Sequence, residues 1–333
     1  MTDIKNDAFQ SKIKELLNMT YLTKAKLDPF SANMYLLKDI LKNNQKTTLT
    51  NLGWENPTDI PFNPDGLSYQ GPTSGSRYNQ DKINFGDKKV MYDFNAFFAS
   101  IMRNYSLPSN TFLSSVKMTH DKIIDRLDSY ASRYPYKNLK TFVFVKIDIH
   151  AAAKPGVHID TGSMLYGWTK VIYQKNIVIS EIELKIICDY YDVKDLKIID
   201  SYVFRCRNDL FVDYFDRIDI LASDSDQDVV KFHKGMRNRL YGLVGKHRLT
   251  DAQANVFSIP IYNRACASFV GAVARDIMLR LEQKYVNSEY DMFMIKTDGI
   301  YFKREVPEFE KLLQAGVVKK EVSTIDNDDI FSN

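Results

Sequence analysis

The sequence predicts an α+β fold, and three segments predict it. Asp93 closes Lys89-Val-Met-Tyr-Asp93 and Asp298 closes Met292-Phe-Met-Ile-Lys-Thr-Asp298, and both runs read as buried strands with a polar end. Between them Lys234-Gly-Met-Arg-Asn-Arg-Leu-Tyr-Gly242 reads as a basic helix, with Lys234, Asn238 and Tyr241 at i, i+4 and i+7 and therefore on one face.

The elements follow in order. Residues 8–45 read as two or three helices, from the apolar spacing of Phe9, Ile13, Leu16 and Leu17 and of Met34, Leu36, Leu37, Ile40 and Leu41. Residues 51–77 carry Gly53, Pro57, Pro61, Pro64, Gly66, Gly71, Pro72 and Gly75, which predicts a long irregular connection. Residues 89–103 give strand then helix, and Pro108 ends that unit. Thr141–His150 reads as a strand, Ile177–Ser180 as another, and a helix starts near Glu181. Residues 213–228 are acidic before the basic helix begins, and Phe269–Lys284 is the last long helix. The strand holding Asp298 is expected to continue through Tyr301 and Phe302.

At 333 residues and 44% hydrophobic content, the chain can bury a substantial core. It shows no run of 18 apolar residues and no apolar signal core in Met1–Asp7, so the expectation is a soluble, cytoplasmic protein with no membrane partner. Cys188, Cys206 and Cys266 are far apart and without Cys-x-x-Cys spacing, which indicates neither a disulfide framework nor a zinc site. The net charge of +3 does not announce nucleic acid by itself. A local cluster does: Lys231, Lys234, Arg237, Arg239, Lys246 and Arg248 crowd the basic helix and its exit. The N-terminal lysines, among them Lys12 and Lys14, read instead as a solvated helix face.

Two strand-end carboxylates suit a pair of Mg²⁺ ions, with Mn²⁺ as an alternative, and a helix presenting a lysine suits the phosphates that bridge such ions. Those are the requirements of nucleotidyl transfer. In this order the three segments resemble the three sequence motifs of family B DNA polymerases, most closely the protein-primed phage and plasmid branch. The helical motif, Lys-x-x-x-Asn-x-x-Tyr-Gly in the family, is intact at Lys234, Asn238, Tyr241 and Gly242. The likeness extends to Val178–Lys185, Asp189–Val193 and Tyr202–Phe204, to Ala272-Val-Ala-Arg275, and to Tyr69-Gln-Gly71, which is similar to the family's Tyr-x-Gly-Gly loop. It covers residues 65 to 305 approximately.

The resemblance implies a right-hand polymerase core. Its parts would be an N-terminal helical region and linker at 1–68, an antiparallel palm at 69–108 and 249–310, an α/β insertion at 109–212 in the terminal-protein-contacting position, helical fingers at 213–248, and a short remnant at 311–333 in place of a thumb. It implies that Asp93 and Asp298 ligate the metals with the Phe94 carbonyl, and that Lys234, aided by Lys231, binds the phosphates of an incoming dNTP. Asn238 and Tyr241 would line the nascent base pair. Phe98, five residues after Asp93, would lie beneath the sugar and exclude a 2′-hydroxyl. Tyr69, Gly71, Arg237, Gly242, Lys296 and Lys303 would touch primer or template DNA.

The sequence departs from the family pattern at several places. About 68 residues precede Tyr69, with no exonuclease acid cluster among them, and about 30 follow the Asp298 segment with no Lys-x-Tyr element. A minimal enzyme lacking exonuclease and most of the thumb is expected, served by a terminal protein or by a separate thumb, exonuclease or clamp subunit. Lys296 replaces the first aspartate of the family's Asp-Thr-Asp and Gly299 its usual serine, so the second reading is a catalytically degenerate polymerase-like nucleic-acid-binding or defence protein. A third is the core subunit of a split polymerase. Asp148 and His150, on one strand face, are discounted as solvent-exposed.

Overall fold

The structure, a computed structural model, describes residues 2–22, 26–43, 76–77, 84–115, 118–129, 136–158, 170–245, 263–296 and 298–325. Two antiparallel sheets organise it. In the first, β2 (Lys88–Phe94) is flanked by β8 (Gly299–Phe302) and β9 (Val318–Thr324), and β7 (Met292–Lys296) and β1 (Ser76–Arg77) extend the β8 side. The second sheet is built wholly from residues 107–207, in the order β3 (Leu107–Ser115), β6 (Tyr191–Arg207), β4 (Thr141–Ala153) and β5 (Val171–Ser180).

Aromatic packing beneath β2 holds the first sheet to its helices. Tyr92 stacks on Phe309 of α9 (Pro307–Gln314), with ring centroids 4.8 Å apart. Its hydroxyl donates to Glu310 at 2.6 Å and accepts from the Val306 amide at 3.1 Å, so a fully buried phenol leaves neither function unpaired. Tyr285, at the end of α8 (Arg264–Tyr285), meets Phe302 edge to face at 5.5 Å.

The stretch before the basic helix is tied by two buried glutamates. Ser180 caps α5 (Glu181–Tyr190) in a reciprocal box with Glu183, whose other oxygen accepts from Arg275 of α8 at 2.6 Å. Glu181 accepts from Arg126 of α4 (His120–Asp128) and, at 3.0 Å, from the Val143 amide. Burying a carboxylate without such partners is prohibitive, so this pairing fixes α5 against α4, α8 and the second sheet.

The basic helix α7 (Gln227–Val244) starts at Asp226, whose side chain accepts from the Asp228 amide. α6 (Val212–Ala222) and α2 (Pro29–Asn43) pack against it, and the buried Asn33 side chain bridges them, donating to the Met236 carbonyl and accepting from the Tyr214 hydroxyl, both at 2.8 Å. Gly235 is required for this approach, because a Cβ there would stand 2.7 Å from Pro29 Cγ. Lys12 of α1 (Thr2–Leu16) pairs with Asp224 at 2.7 Å, so this N-terminal lysine is bound to the turn before α7.

Residues 8–45 give two of the two or three expected helices within the described residues, whereas other expectations change. Pro108 does not end its unit: it is the second residue of β3, where the lack of an N–H is tolerated near a strand start. The run expected to carry one strand through Phe302 is a hairpin, with Lys296 of β7 opposite Gly299 of β8 and Asp298 in the turn, as Asp-Gly turn chemistry favours. Residues 307–324 form a helix and a strand, and β9 joins β2 along its whole length from Lys88↔Thr324 to Phe94↔Val318. Asp148 accepts from the Asn176 amide at 2.8 Å, while His150 is exposed against Tyr173. The three cysteines are free thiols. No described helix is long and apolar enough to cross a membrane. Tyr69, Gly71 and most of residues 51–77 lie outside the described residues, as do Lys246 and Arg248.

Candidate functional site

Asp93 is the sixth residue of β2, which has partners on both sides; Gly299 faces it from β8 and Lys319 from β9. The Phe94 amide donates to the Asp298 carbonyl at 3.0 Å, which fastens the β7–β8 turn to the end of β2. The two carboxyls thereby meet within hydrogen-bonding reach of each other. Burial pushes the Asp298 carboxyl up to about 6, and the Asp93 charge pushes in the same direction. Burial also raises Asp93, against the opposing pull of its hydrogen bond with Asp298 and of Lys319 and Lys234.

Two half-buried carboxyls in contact repel one another when both are ionised, unless a proton or a cation lies between them. Among the described residues no three histidine, cysteine or acidic side chains come together, so a metal ion placed here would have these two carboxyls and nearby backbone oxygens as its protein donors. That all-oxygen set fits a hard divalent ion such as Mg²⁺ or Mn²⁺, which takes one or two carboxylates and fills its remaining positions with water and substrate phosphate.

After β2 the chain turns sharply. Ala96 has φ 47°, a left-handed conformation unusual for alanine, and α3 (Phe97–Asn104) starts there with no side-chain cap. This turn, together with His233, Lys234, Arg237 and Asn238 of α7 and with Lys319, lines a cavity of about 750 Å³. Lys234 and Asn238 are exposed and Arg237 half-buried. Lys319 lies within reach of Lys234, and burial, then the Lys234 charge, hold its ammonium below the usual lysine range.

Phe98 lies flat on Tyr241, with ring centroids 4.4 Å apart and planes 7° from parallel. Tyr241 is buried, and Gly271 of α8 makes room for it: a Cβ there would stand 2.8 Å from the Tyr241 hydroxyl. At Gly242 a Cβ would meet nothing within 4 Å.

The structure therefore brings Asp93, Asp298 and Lys234 together, and Phe98 with Tyr241. Arg237 and Asn238 share the Lys234 cavity. Lys231 is exposed and pairs with Asp228 at 3.1 Å, while Lys303 pairs with Asp87 at 2.7 Å at the far end of β8. Lys296 is the last residue of β7. Sequence reasoning missed Lys319, His233, Gly271 and the Ala96 turn. The β-branched valines of Val317-Val-Lys-Lys-Glu-Val-Ser323 were a weak strand signal, but nothing in them named the partner strand.

No family model and no curated protein sequence matches the chain. Solved structures do. Phi29 DNA polymerase complexed with primer-template DNA superposes with a TM-score of 0.63 at 17% identity, over 89% of this chain and 50% of that one. Its ternary complex with primer-template DNA and incoming nucleotide substrates gives 0.59 at 16% identity, over 89% and 51%, and its orthorhombic crystal form 0.59 at 18%, over 89% and 52%. The chain thus has a polymerase-like fold of helices and antiparallel sheet, spanning about half the length of the Phi29 polymerase structures it matches.

Proposed function

We propose that the chain is a template-directed DNA polymerase core that transfers a nucleotidyl group from a dNTP to a primer 3′-hydroxyl or to the hydroxyl of a protein primer. The observation that carries this reading is the convergence of Asp93 and Asp298 at one end of the first sheet, within the field of Lys234. In this reading the first sheet is the palm, α7 belongs to the fingers, and the second sheet is the insertion in the position that meets terminal protein in relatives. β9 then extends the palm beyond the boundary at 310.

Asp93 and Asp298, with the Phe94 carbonyl, would hold divalent metal. When bound, that metal supplies charge neutralisation for the polyphosphate and acidifies the attacking hydroxyl. Lys234 binds phosphate as a point charge on a helix whose position Asn33 and Gly235 fix. Tyr241 and Phe98 form a flat wall against the sugar and base, and Asn238 supplies a polar edge beside it. The proposed partners are primer-template DNA and dNTPs, together with a terminal protein or a separate thumb, exonuclease or clamp subunit.

A second reading, a nucleic-acid-binding protein without synthesis, draws support from Lys296 standing two residues from Asp298 where the family has an aspartate. Primer extension with Mg²⁺ or Mn²⁺ separates the two. The polymerase reading expects metal-dependent extension, reduced by several orders of magnitude in Asp93→Asn and Asp298→Asn, because each loss removes charge stabilisation worth several kcal/mol. Robust extension by either variant overturns the site, and no extension by wild type selects the second reading.

A further inference from the structure

The C-terminal strand β9 contributes a cation to the cavity that the motif resemblance does not assign. Lys319 stands opposite Asp93 in the β2–β9 ladder and lines the same cavity as Lys234 and Arg237. No ion pair within 4 Å engages any of these three side chains among the described residues, although each of the other lysines and arginines on α7 and β9 is paired: Lys231 with Asp228, Arg239 with Asp28, and Lys320 with Glu305 and Glu310. Bringing two ammonium groups together with a guanidinium is unfavourable unless an anion lies among them. The carboxylates nearest these cations are Asp93, which faces Lys319 and Lys234, and Asp219, which faces Arg237 and is itself engaged by Arg103.

One further feature of the cavity favours an anion. Ala96 and Phe97, at the uncapped N-terminus of α3, line it, so the positive end of that helix lies at the cavity wall. His233 lines it as well, with its Nε2 3.8 Å from the Asp219 carboxylate that Arg103 engages at 2.7 Å. A volume of about 750 Å³ is ample for a chain of phosphates.

We propose that Lys319 is a phosphate-binding residue, acting with Lys234 and Arg237 to hold the polyphosphate tail of the nucleotide substrate. This deepens the polymerase reading and rests on it for the identity of the ligand. The two lysines reach the cavity from different elements, Lys234 from a helix and Lys319 from a sheet edge strand, so a polyphosphate held between them couples α7 to the sheet that carries Asp93. Lys319 is thus a positioning residue for the substrate tail.

The test uses inorganic tripolyphosphate as the probe, with EDTA present so that no metal contributes, and reads binding to the full chain by titration calorimetry. Wild type is expected to bind. Lys319→Gln should weaken binding at least about tenfold, Lys319→Arg should stay within about threefold of wild type, and Lys311→Gln, which removes an equal charge from exposed α9, should not change it. If Lys319→Gln binds like wild type while Lys234→Gln does not, the role of Lys319 is overturned and the polymerase reading stands. If wild type fails to bind but extends primers with Mg²⁺, the metal-free cation site is overturned alone; if it does neither, both readings fall. A parallel loss in Lys311→Gln reduces the effect to net charge and also overturns the proposal.

Discussion

Replacing Phe98 by alanine tests the sugar-facing wall directly. Phe98 is half-buried and stacked on Tyr241 at 4.4 Å, so its ring does two jobs that can be measured apart. As a packing residue it gives up the stacking, worth about 1 kcal/mol, and part of its apolar burial, for a total of about 2 to 3 kcal/mol, below the ~3 to 5 kcal/mol typical of a fully buried phenylalanine. As an obstruction beside the sugar its removal should admit ribonucleotides, raising the ribo- to deoxynucleotide incorporation ratio at least about tenfold, or about 1.4 kcal/mol of differential transition-state binding. The assay is single-nucleotide primer extension with each sugar in competition, run beside urea denaturation. Phe309→Ala is the control: that ring is fully buried beneath Tyr92, and its loss should cost more stability and lower both incorporations in parallel. An unchanged ratio in a folded Phe98→Ala protein would remove Phe98 from the site and with it the alignment of the Asp93 segment.

Three more outcomes are expected. Gly271→Ala places a Cβ 2.8 Å from the Tyr241 hydroxyl, and Tyr241 is buried and stacked, so the variant should lose about 1 to 3 kcal/mol in urea denaturation and shift the same sugar ratio; unchanged stability would mean that Tyr241 is loosely held. Lys296→Asp adds a carboxylate at the end of β7 and should lower the Mg²⁺ concentration needed for extension; an unchanged requirement would show that Lys296 does not repel the metal. His233 is held below the usual histidine range by burial and then by Arg237 and Arg103, against Asp219, so the unfolded chain takes up its proton first. Stability from neutral His233 is present above the unfolded value near 6.5 and falls as pH drops below it, and His233→Gln should flatten that slope; equal slopes would refute the assignment.

The local pattern made the elements legible where a single element suffices. Lys234, Asn238 and Tyr241 share a face because 3.6 residues per turn puts them there, and the half-buried strand around Asp93 and the buried one from Met292 declare themselves by apolar residues. Resemblance supplied the roles. What the sequence hid depends on which elements lie side by side. Gly271 reads as an ordinary helical glycine until Tyr241 is found against it, and Gly235 until Pro29 is. The Ala96 turn was hidden for another reason: a left-handed alanine violates local preference, and only the packing around it can hold it there.

Lys319 is the sharpest case. It stands more than two hundred residues from Asp93 in the chain, in a segment that resembles no motif, yet one antiparallel ladder sets it opposite that aspartate. The register decides it. Shifting β9 by one residue would exchange Lys319 for Lys320 on the cavity side and break the Lys320 pairs with Glu305 and Glu310. Those two pairs and the buried Val318 opposite Phe94 therefore pin the register that delivers Lys319 to the cavity. The strand expected to be a remnant is thus structurally part of the Asp93 site, because β2 has both of its edges paired only when β9 is present.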